Sequence, residues 1–133
     1  MTEPVQRIDA ADVEAFVNNA HGDLAEVKQL LEREPALVDA AWDWGGGDWE
    51  TALGAASHMG RGDIAELLID RGARVDIFAA AMLDAVDVVR ALLDRFPALL
   101  HAVGPHGIPL RAHAETGEAE RVLALLDERR AQG

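Results

Sequence analysis

One segment of the chain occurs twice. Residues 30–40 read Leu-Leu-Glu-Arg-Glu-Pro-Ala-Leu-Val-Asp-Ala, and residues 92–102 read Leu-Leu-Asp-Arg-Phe-Pro-Ala-Leu-Leu-His-Ala, so seven of eleven positions are identical. A unit this short cannot bury its apolar face alone, and self-similarity over tens of residues is typical of a stacked solenoid. The duplication therefore predicts a repeat protein with one continuous core.

Four leucine-rich stretches have the three-to-four residue spacing of an amphipathic helix. Their equivalent positions are Leu30, Leu68, Leu92 and Leu125. The step from Leu30 to Leu68 is the longest and the step from Leu68 to Leu92 the shortest, so four units fit, with joins of unequal length. A shorter, alanine-rich helix is predicted ahead of each leucine helix, and small side chains there let two helices approach closely.

The second unit carries the most specific pattern. Residues 51–60 read Thr-Ala-Leu-Gly-Ala-Ala-Ser-His-Met-Gly, and a leucine helix follows that ends at Gly72 and Ala73. This pattern resembles the ankyrin-repeat family, whose signature is Thr-Pro-Leu-His-x-Ala-Ala-x-x-Gly, then a second helix with a leucine run, then Gly-Ala. A second match begins at Gly107, and a weaker one between the two begins at Asp76. The signature histidine is replaced by Gly54, Phe78 and Arg111, so its usual hydrogen bonds are expected to be missing or supplied by other groups.

The resemblance implies a fold class and a domain organisation. The fold is expected to be an all-α, ankyrin-like α-solenoid of about four helix-loop-helix repeats. We expect a single ankyrin-repeat domain over residues 1–133, with repeats at approximately 10–40, 48–75, 76–102 and 106–131.

Composition narrows the function classes. The chain has 133 residues, half of them apolar, and a net charge of −12. A polyanion would be repelled by this charge, so nucleic acid is not the expected partner. There is no cysteine for a thiolate site, no run of about eighteen apolar residues for a membrane span, and no secretory signal at the start. We therefore expect a cytoplasmic, monomeric protein, and the use of arginine over lysine suggests a bacterial source.

The irregular joins point to a binding site. In an ankyrin-like unit the loops between repeats and the first helices form the concave binding face. The short step between the second and third units leaves no room for a projecting loop, whereas the long step between the first and second carries an enlarged loop at residues 41–50. That loop contains all three tryptophans, around a triple glycine. It is predicted to be an exposed binding finger, and the alternative is that one or more indoles fold back over the open seam.

Candidate catalytic and metal groups are less specific. His101, His106 and His113 match no metal-ligand spacing such as two histidines four apart on one helix. Asp43, Asp48 and Glu50 could converge for acid-base work or a hard cation, with His58 nearby at the end of the following helix. A triple-glycine loop is, however, poorly suited to holding a fixed geometry. We therefore expect no catalytic residue, no metal and no cofactor.

The sequence thus predicts a non-catalytic module that binds a protein of basic or mixed charge. The alternative is a binder of small cationic ligands, or an unrecognised enzyme, that uses the tryptophans as an aromatic cage. The candidate partner-binding residues are Trp42, Asp43, Trp44, Asp48, Trp49, Glu50, His58, Arg61 and His106.

Overall fold

The structure is a computed structural model that describes residues 4–133, and most of this part is helical. Within residues 4–133, eight α-helices follow one another as four pairs, which confirms the predicted all-α helix-loop-helix solenoid. The pairs are α1 (Ala10–Asn19) with α2 (Leu24–Arg33), α3 (Ala52–His58) with α4 (Gly62–Asp70), α5 (Ile77–Met82) with α6 (Val86–Arg95), and α7 (Leu110–Thr116) with α8 (Glu120–Gln132). Short 3₁₀ helices lie at Pro35–Asp39, Pro97–His101 and Pro105–Gly107.

Side-chain caps and prolines set the helix limits. Asp9, Asp23, Thr51 and Asp76 each accept a hydrogen bond from a backbone N–H in the first turn of the helix that follows. These bonds satisfy donors that the helix itself leaves free. The duplicated Arg-x-Pro-Ala segments end α2 and α6, and each helix is followed by a short 3₁₀ helix that begins at the proline.

The core runs through the stacked pairs. The first two pairs bury a cluster that includes Phe16, Leu31, Leu53 and Leu68, and the last two pairs bury another that includes Leu93, Leu110 and Leu126. Helix α5 belongs to both clusters, because Ala79 packs in the first and Ala80 in the second. The alanines of α5 therefore join the two halves into one continuous stack.

The predicted enlarged loop is a β-hairpin, which we call the first hairpin (residues 41–51). Its strands, β1 (Ala41–Asp43) and β2 (Trp49–Thr51), pair antiparallel with Trp42 opposite Glu50. The three glycines at its tip all have positive φ, a conformation that side chains rarely adopt. The Asp43 carboxylate accepts from the N–H groups of Gly45 and Gly47, so the tip is held by the strand beside it.

The second hairpin (residues 103–109) lies between the third and fourth pairs. Val103 and Pro109 form an antiparallel bridge, and His106 stands at the tip with φ of 62°. Between α4 and α5 the described chain has no strand or 3₁₀ helix. The second hairpin can therefore approach the first directly, and the backbone N–H of His106 donates to Oδ1 of Asp48 at 2.8 Å.

Candidate functional site

The carboxylate of Glu50 lies at the centre of a polar cluster. Glu50 is on β2 of the first hairpin and is 1% exposed. Three imidazole groups approach it: Nε2 of His21 at 3.1 Å from Oε1, and Nε2 of His58 and of His106 at 2.9 and 3.2 Å from Oε2. We call these four residues the histidine–glutamate cluster.

Each member of the cluster comes from a different part of the solenoid. His21 lies in the turn after α1, His58 ends α3, and His106 is the tip of the second hairpin. The ring centroids of His21 and His106 lie 5.1 and 5.2 Å from that of His58. Separate parts of the stack therefore contribute one imidazole each to a single carboxylate.

Neighbouring groups fix the orientation of these side chains. The indole Nε1 of Trp44 donates to Oε1 of Glu50 at 2.9 Å. Nδ1 of His21 faces the carbonyl oxygens of Val17 and Asn18 at 3.1 and 3.0 Å. These contacts fix the ring plane of His21 and occupy one lone pair of the Glu50 carboxylate. Both side chains therefore have little freedom to rotate.

His106 is bound to the first hairpin twice. Its backbone N–H donates to Oδ1 of Asp48 at 2.8 Å, and its Nδ1 lies 2.6 Å from Oδ2 of the same carboxylate. The backbone N–H and the ring of His106 lower the pKa of Asp48, so Asp48 carries its negative charge. Asp48 therefore acts as the link between the two hairpin tips.

Opposing effects set the pKa of the central carboxyl. Burial would raise the pKa of Glu50, but the imidazole groups of His21 and His58 and the N–H of Trp44 outweigh it and lower the pKa to about 2. In return, the Glu50 carboxylate raises the pKa of His21 against the effect of burial. The centre of the cluster is therefore an anion that faces three ring nitrogens and accepts a hydrogen bond from one indole N–H.

This arrangement can attract and hold a positive charge. It has a buried carboxylate and three ring nitrogens, and no serine, threonine or cysteine among its members. The chain offers the four groups for ion binding or for tying the hairpins together.

The remaining predicted residues lie outside the cluster. Trp49 is 61% exposed, and Trp42 lines a shallow groove with it, beside Ile8 and Val13. Asp43 lies at the same groove and also caps the glycine tip. Trp44 is separate from this pair, because its ring faces His21 and His106 at centroid distances of 6.1 and 6.3 Å.

Arg61 is occupied within the protein. Its Nη1 donates to the carbonyl oxygen of Gly22 at 2.7 Å, and its Nε and Nη2 donate to Asp63 at 3.0 and 2.8 Å. The side chain therefore ties the first helix pair to the second, although it remains 35% exposed.

One expectation from the sequence differs from the structure, and one residue of the cluster was not predicted. Glu50 was expected to make a charged contact with a partner, but its side chain is enclosed by Trp44 and the histidines and offers no surface. The sequence also passes over His21, which belongs to the first helix pair and is remote from Glu50 along the chain. The missing loop between the second and third units is the signal that could have indicated that the two hairpins meet.

Comparison with known proteins supports the fold. A family model described as the ankyrin repeat matches residues 48–79, which contain β2, α3, α4 and the start of α5. No curated protein and no solved structure matches the chain. Among residues 4–133, no helix combines the length and the apolar character needed to cross a membrane. The match at 48–79, together with the stacked helix pairs on either side of it, supports an ankyrin-repeat protein.

Proposed function

We propose that the protein is a non-catalytic interaction module that binds a basic polypeptide segment beside its first hairpin. Ankyrin repeats generally mediate protein–protein interaction, and the family is typically non-enzymatic. The observation that carries the proposal is the exposure of Trp49, at 61%, on a hairpin whose backbone is well held. A large exposed indole on a rigid element is the kind of anchor that dominates binding energy at interfaces.

The proposed contact surface is the groove between α1 and the first hairpin. Trp42 and Trp49 line it together with Ile8 and Val13. Apolar side chains at its floor and an indole at its edge suit the stem of a long side chain or an apolar residue of the partner. The groove is shallow and open, which favours an extended peptide segment over an enclosed small molecule.

Charge supports a basic partner. The chain carries a net charge of −12, and Asp43 lies at the groove itself. Asp12 and Glu14 are exposed on α1, the helix that forms one side of the groove. Arginine or lysine of a partner would meet carboxylates there and could also stack on an indole face.

The other candidate contacts take a supporting role in this proposal. Asp48, Glu50 and His58 are committed to contacts inside the protein, so they hold the hairpin in place and leave the contact surface to its outer residues. Arg61 and His106 remain partly exposed and stay candidates for secondary contacts. We further propose that the chain acts as a single cytoplasmic domain and a monomer.

The aromatic-cage alternative has less support. A cage for a quaternary ammonium group needs several rings around one cavity. Trp42 and Trp49 line one groove, whereas Trp44 lines another with Glu14 and Asn18 of α1. The three indoles therefore do not surround a common cavity.

Selection from a random peptide library, with the purified chain as bait, tests the proposal. We expect the selected peptides to be enriched in arginine and lysine, and their affinity to fall at least about tenfold in the Trp42→Ala and Trp49→Ala variants. Val88→Ala is the matched control, because Val88 is an apolar residue that is 45% exposed on α6, away from the hairpins. Selected peptides without basic enrichment, or equal losses in the control, would count against the proposal.

A further inference from the structure

The histidine–glutamate cluster has an unresolved hydrogen-bond pattern. Oε2 of Glu50 and Nε2 of His58 lie 2.9 Å apart, yet neither atom has a hydrogen-bond partner of good geometry among the described residues. Both atoms are buried. Buried polar atoms without partners are uncommon in folded proteins and call for an explanation.

The tautomers of His21 and His106 create a second difficulty, because they leave ring nitrogens facing Glu50 without a hydrogen to donate. Nδ1 of His21 faces only carbonyl oxygens, and Nδ1 of His106 faces the Asp48 carboxylate, so each Nδ1 must carry the hydrogen. In a neutral ring, Nε2 then bears a lone pair. That lone pair faces Glu50, whose carboxylate can only accept.

Two arrangements can resolve the conflict. Either the rings are doubly protonated, which places several imidazolium groups with centroids 5.1 to 6.4 Å apart, or a cation lies between the nitrogens and the carboxylate. Repulsion among the rings works against the first arrangement, whereas a cation satisfies every lone pair at once. The orphaned atoms of Glu50 and His58 lie side by side at the point where the ion would bind.

We propose that His21, Glu50, His58 and His106 form a four-coordinate binding site for a divalent transition-metal ion, with zinc as the best fit. Each residue offers one ligand atom, and these four atoms lie within 4.8 Å of one another. Tetrahedral zinc with bonds of about 2.0–2.1 Å requires ligand atoms about 3.3 Å apart, so small ring rotations close the site.

The donor set selects the metal class. Imidazole nitrogens suit zinc, cobalt, nickel and copper, whereas calcium and magnesium take oxygen ligands. Four protein ligands fill a tetrahedral shell and leave no open position for substrate, which is the pattern of a structural site. The site would therefore stabilise the protein and carry no reaction.

The surrounding contacts are those that metal-binding histidines use. A ligating histidine normally donates its other N–H to a carboxylate or a backbone carbonyl, which fixes the ring. Asp48 holds His106 in this way, and the carbonyl of Val17 or Asn18 holds His21. The indole N–H of Trp44 donates to Oε1 of Glu50 and so orients the carboxylate.

A bound ion would join three parts of the stack through the two hairpins. His21 belongs to the first helix pair and His58 to the second. His106 belongs to the second hairpin, which leads into the fourth pair. The ion would lie where the missing loop between α4 and α5 leaves the hairpins side by side. Binding would thus fix the position of the first hairpin, independently of what that hairpin contacts.

Metal titration of the untagged, chelator-treated protein tests the proposal. We expect about one zinc per chain, a rise in Tm of about 5–10 °C at a free zinc concentration about 100-fold above Kd, and no response to calcium. Cobalt should give the intense visible bands of a tetrahedral complex. In ¹⁵N-edited spectra of the histidine side chains, Nε2 of the three cluster histidines should shift while His101 and His113 stay unchanged.

Variants assign the ligands. His58→Ala, His21→Ala and Glu50→Gln should each weaken zinc binding at least about tenfold. His101→Ala is the matched control, because His101 is an exposed histidine on a 3₁₀ helix outside the cluster. Should a cluster variant fail to fold, the cobalt and nitrogen spectra of the unaltered protein still decide. No zinc uptake, no tetrahedral cobalt spectrum, or an equal loss in His101→Ala would overturn the proposal.

Discussion

His106 makes two hydrogen bonds to one carboxylate, that of Asp48, although the two residues are far apart in the chain. The contact joins the tips of two hairpins that belong to non-adjacent repeats. It exists because the chain between α4 and α5 is too short to place a third hairpin between them. The contacts between the two hairpins therefore follow from the short connection between α4 and α5.

Removal of the Asp48 carboxylate should let the second hairpin open locally. In Asp48→Ala, the backbone N–H of His106 loses its acceptor, and we expect its hydrogen exchange to accelerate several-fold. Asp48→Asn keeps an acceptor oxygen and should show a smaller effect. Asp43→Ala is the control, because that carboxylate caps only Gly45 and Gly47, so exchange at residues 103–109 should remain unchanged.

Gly117 predicts a severe packing defect. A Cβ at this position would overlap the carbonyl oxygen of Met82 and lie 2.8 Å from its carbonyl carbon, so the backbone of α5 or α7 must move. We expect Gly117→Ala to lower the free energy of unfolding by about 3 kcal/mol in a urea titration. Gly22→Ala should change it by less than about 0.5 kcal/mol, because the nearest atom to the added Cβ, Nη1 of Arg61, lies 3.6 Å away, which is an ordinary van der Waals contact.

Asp84 predicts a stability contribution that disappears in acid. Burial would raise the pKa of Asp84, but the N–H of Val122 and the guanidinium of Arg121 outweigh it and lower the pKa below the ordinary 3.8. Its contribution is therefore complete above about pH 4 and is lost as the pH falls through the folded-state value. Asp84 also has φ of 58°.

Substitutions separate the two roles of Asp84. Asp84→Gly accepts the positive φ but loses the bonds to Val122 and Arg121, so the free energy of unfolding should fall by about 1–2 kcal/mol at pH 7. Asp84→Ala should cost more, because alanine is strained at this φ. Chemical denaturation at pH 7 and pH 3 measures both, and a loss for Asp84→Gly that is equal at the two pH values would contradict the assigned role.

His113 also makes the stability of the protein depend on pH, but here burial of the side chain is the cause. It is completely buried against Phe78, its Nδ1 donates to the carbonyl of Pro109 at 2.8 Å, and its Nε2 has no partner among the described residues. Burial lowers the pKa of His113, and the Pro109 carbonyl opposes this only in part. Below the ordinary value of 6.5, the unfolded chain binds a proton that the folded chain resists.

The folded protein should therefore lose stability through His113 as the pH falls below about 6.5. We expect His113→Leu to reduce the stability lost between about pH 7.5 and pH 5.5, measured as the midpoint of urea denaturation. His101→Ala serves as the comparison, because that side chain is exposed and lies on a 3₁₀ helix outside the core.

The exposures of the three indoles predict which tryptophan a quencher in solution reaches most readily. Trp49 is 61% and Trp44 36% exposed, while Trp42 is less exposed than either. Acrylamide should quench the emission of the protein in part, and Trp49→Phe should remove most of the readily quenched fraction. If Trp42→Phe removes more of that fraction than Trp49→Phe, the first hairpin is arranged differently from the structure.

The sequence predicts the scaffold well because helix pairs are local objects. The duplicated Arg-x-Pro-Ala segments, the leucine spacing and capping residues such as Thr51 act within a few positions of each other. The unequal steps from Leu30 to Leu68 and from Leu68 to Leu92 also indicate where a hairpin projects and where none does. The repeat limits and the single-domain organisation stay predictions.

The site was only partly predictable, for physical reasons. Spacing along the chain tests ligands on one helix, whereas His21, His58 and His106 meet only when the helix pairs stack. The burial of Glu50 depends on Trp44 and on a hairpin from another repeat, neither of which pattern alone can position. The expectation that a triple-glycine tip lacks fixed geometry also overlooks the strands and the Asp43 cap beside it.

The short passage between α4 and α5 limits how this protein can change. Most solenoids lengthen by copying a unit, since each unit touches only its neighbours. Here a unit inserted after α4 would carry His106 away from Asp48 and Glu50 and break every contact between the hairpins. Duplication of a unit at this point would therefore cost the contacts that tie the second hairpin to the first.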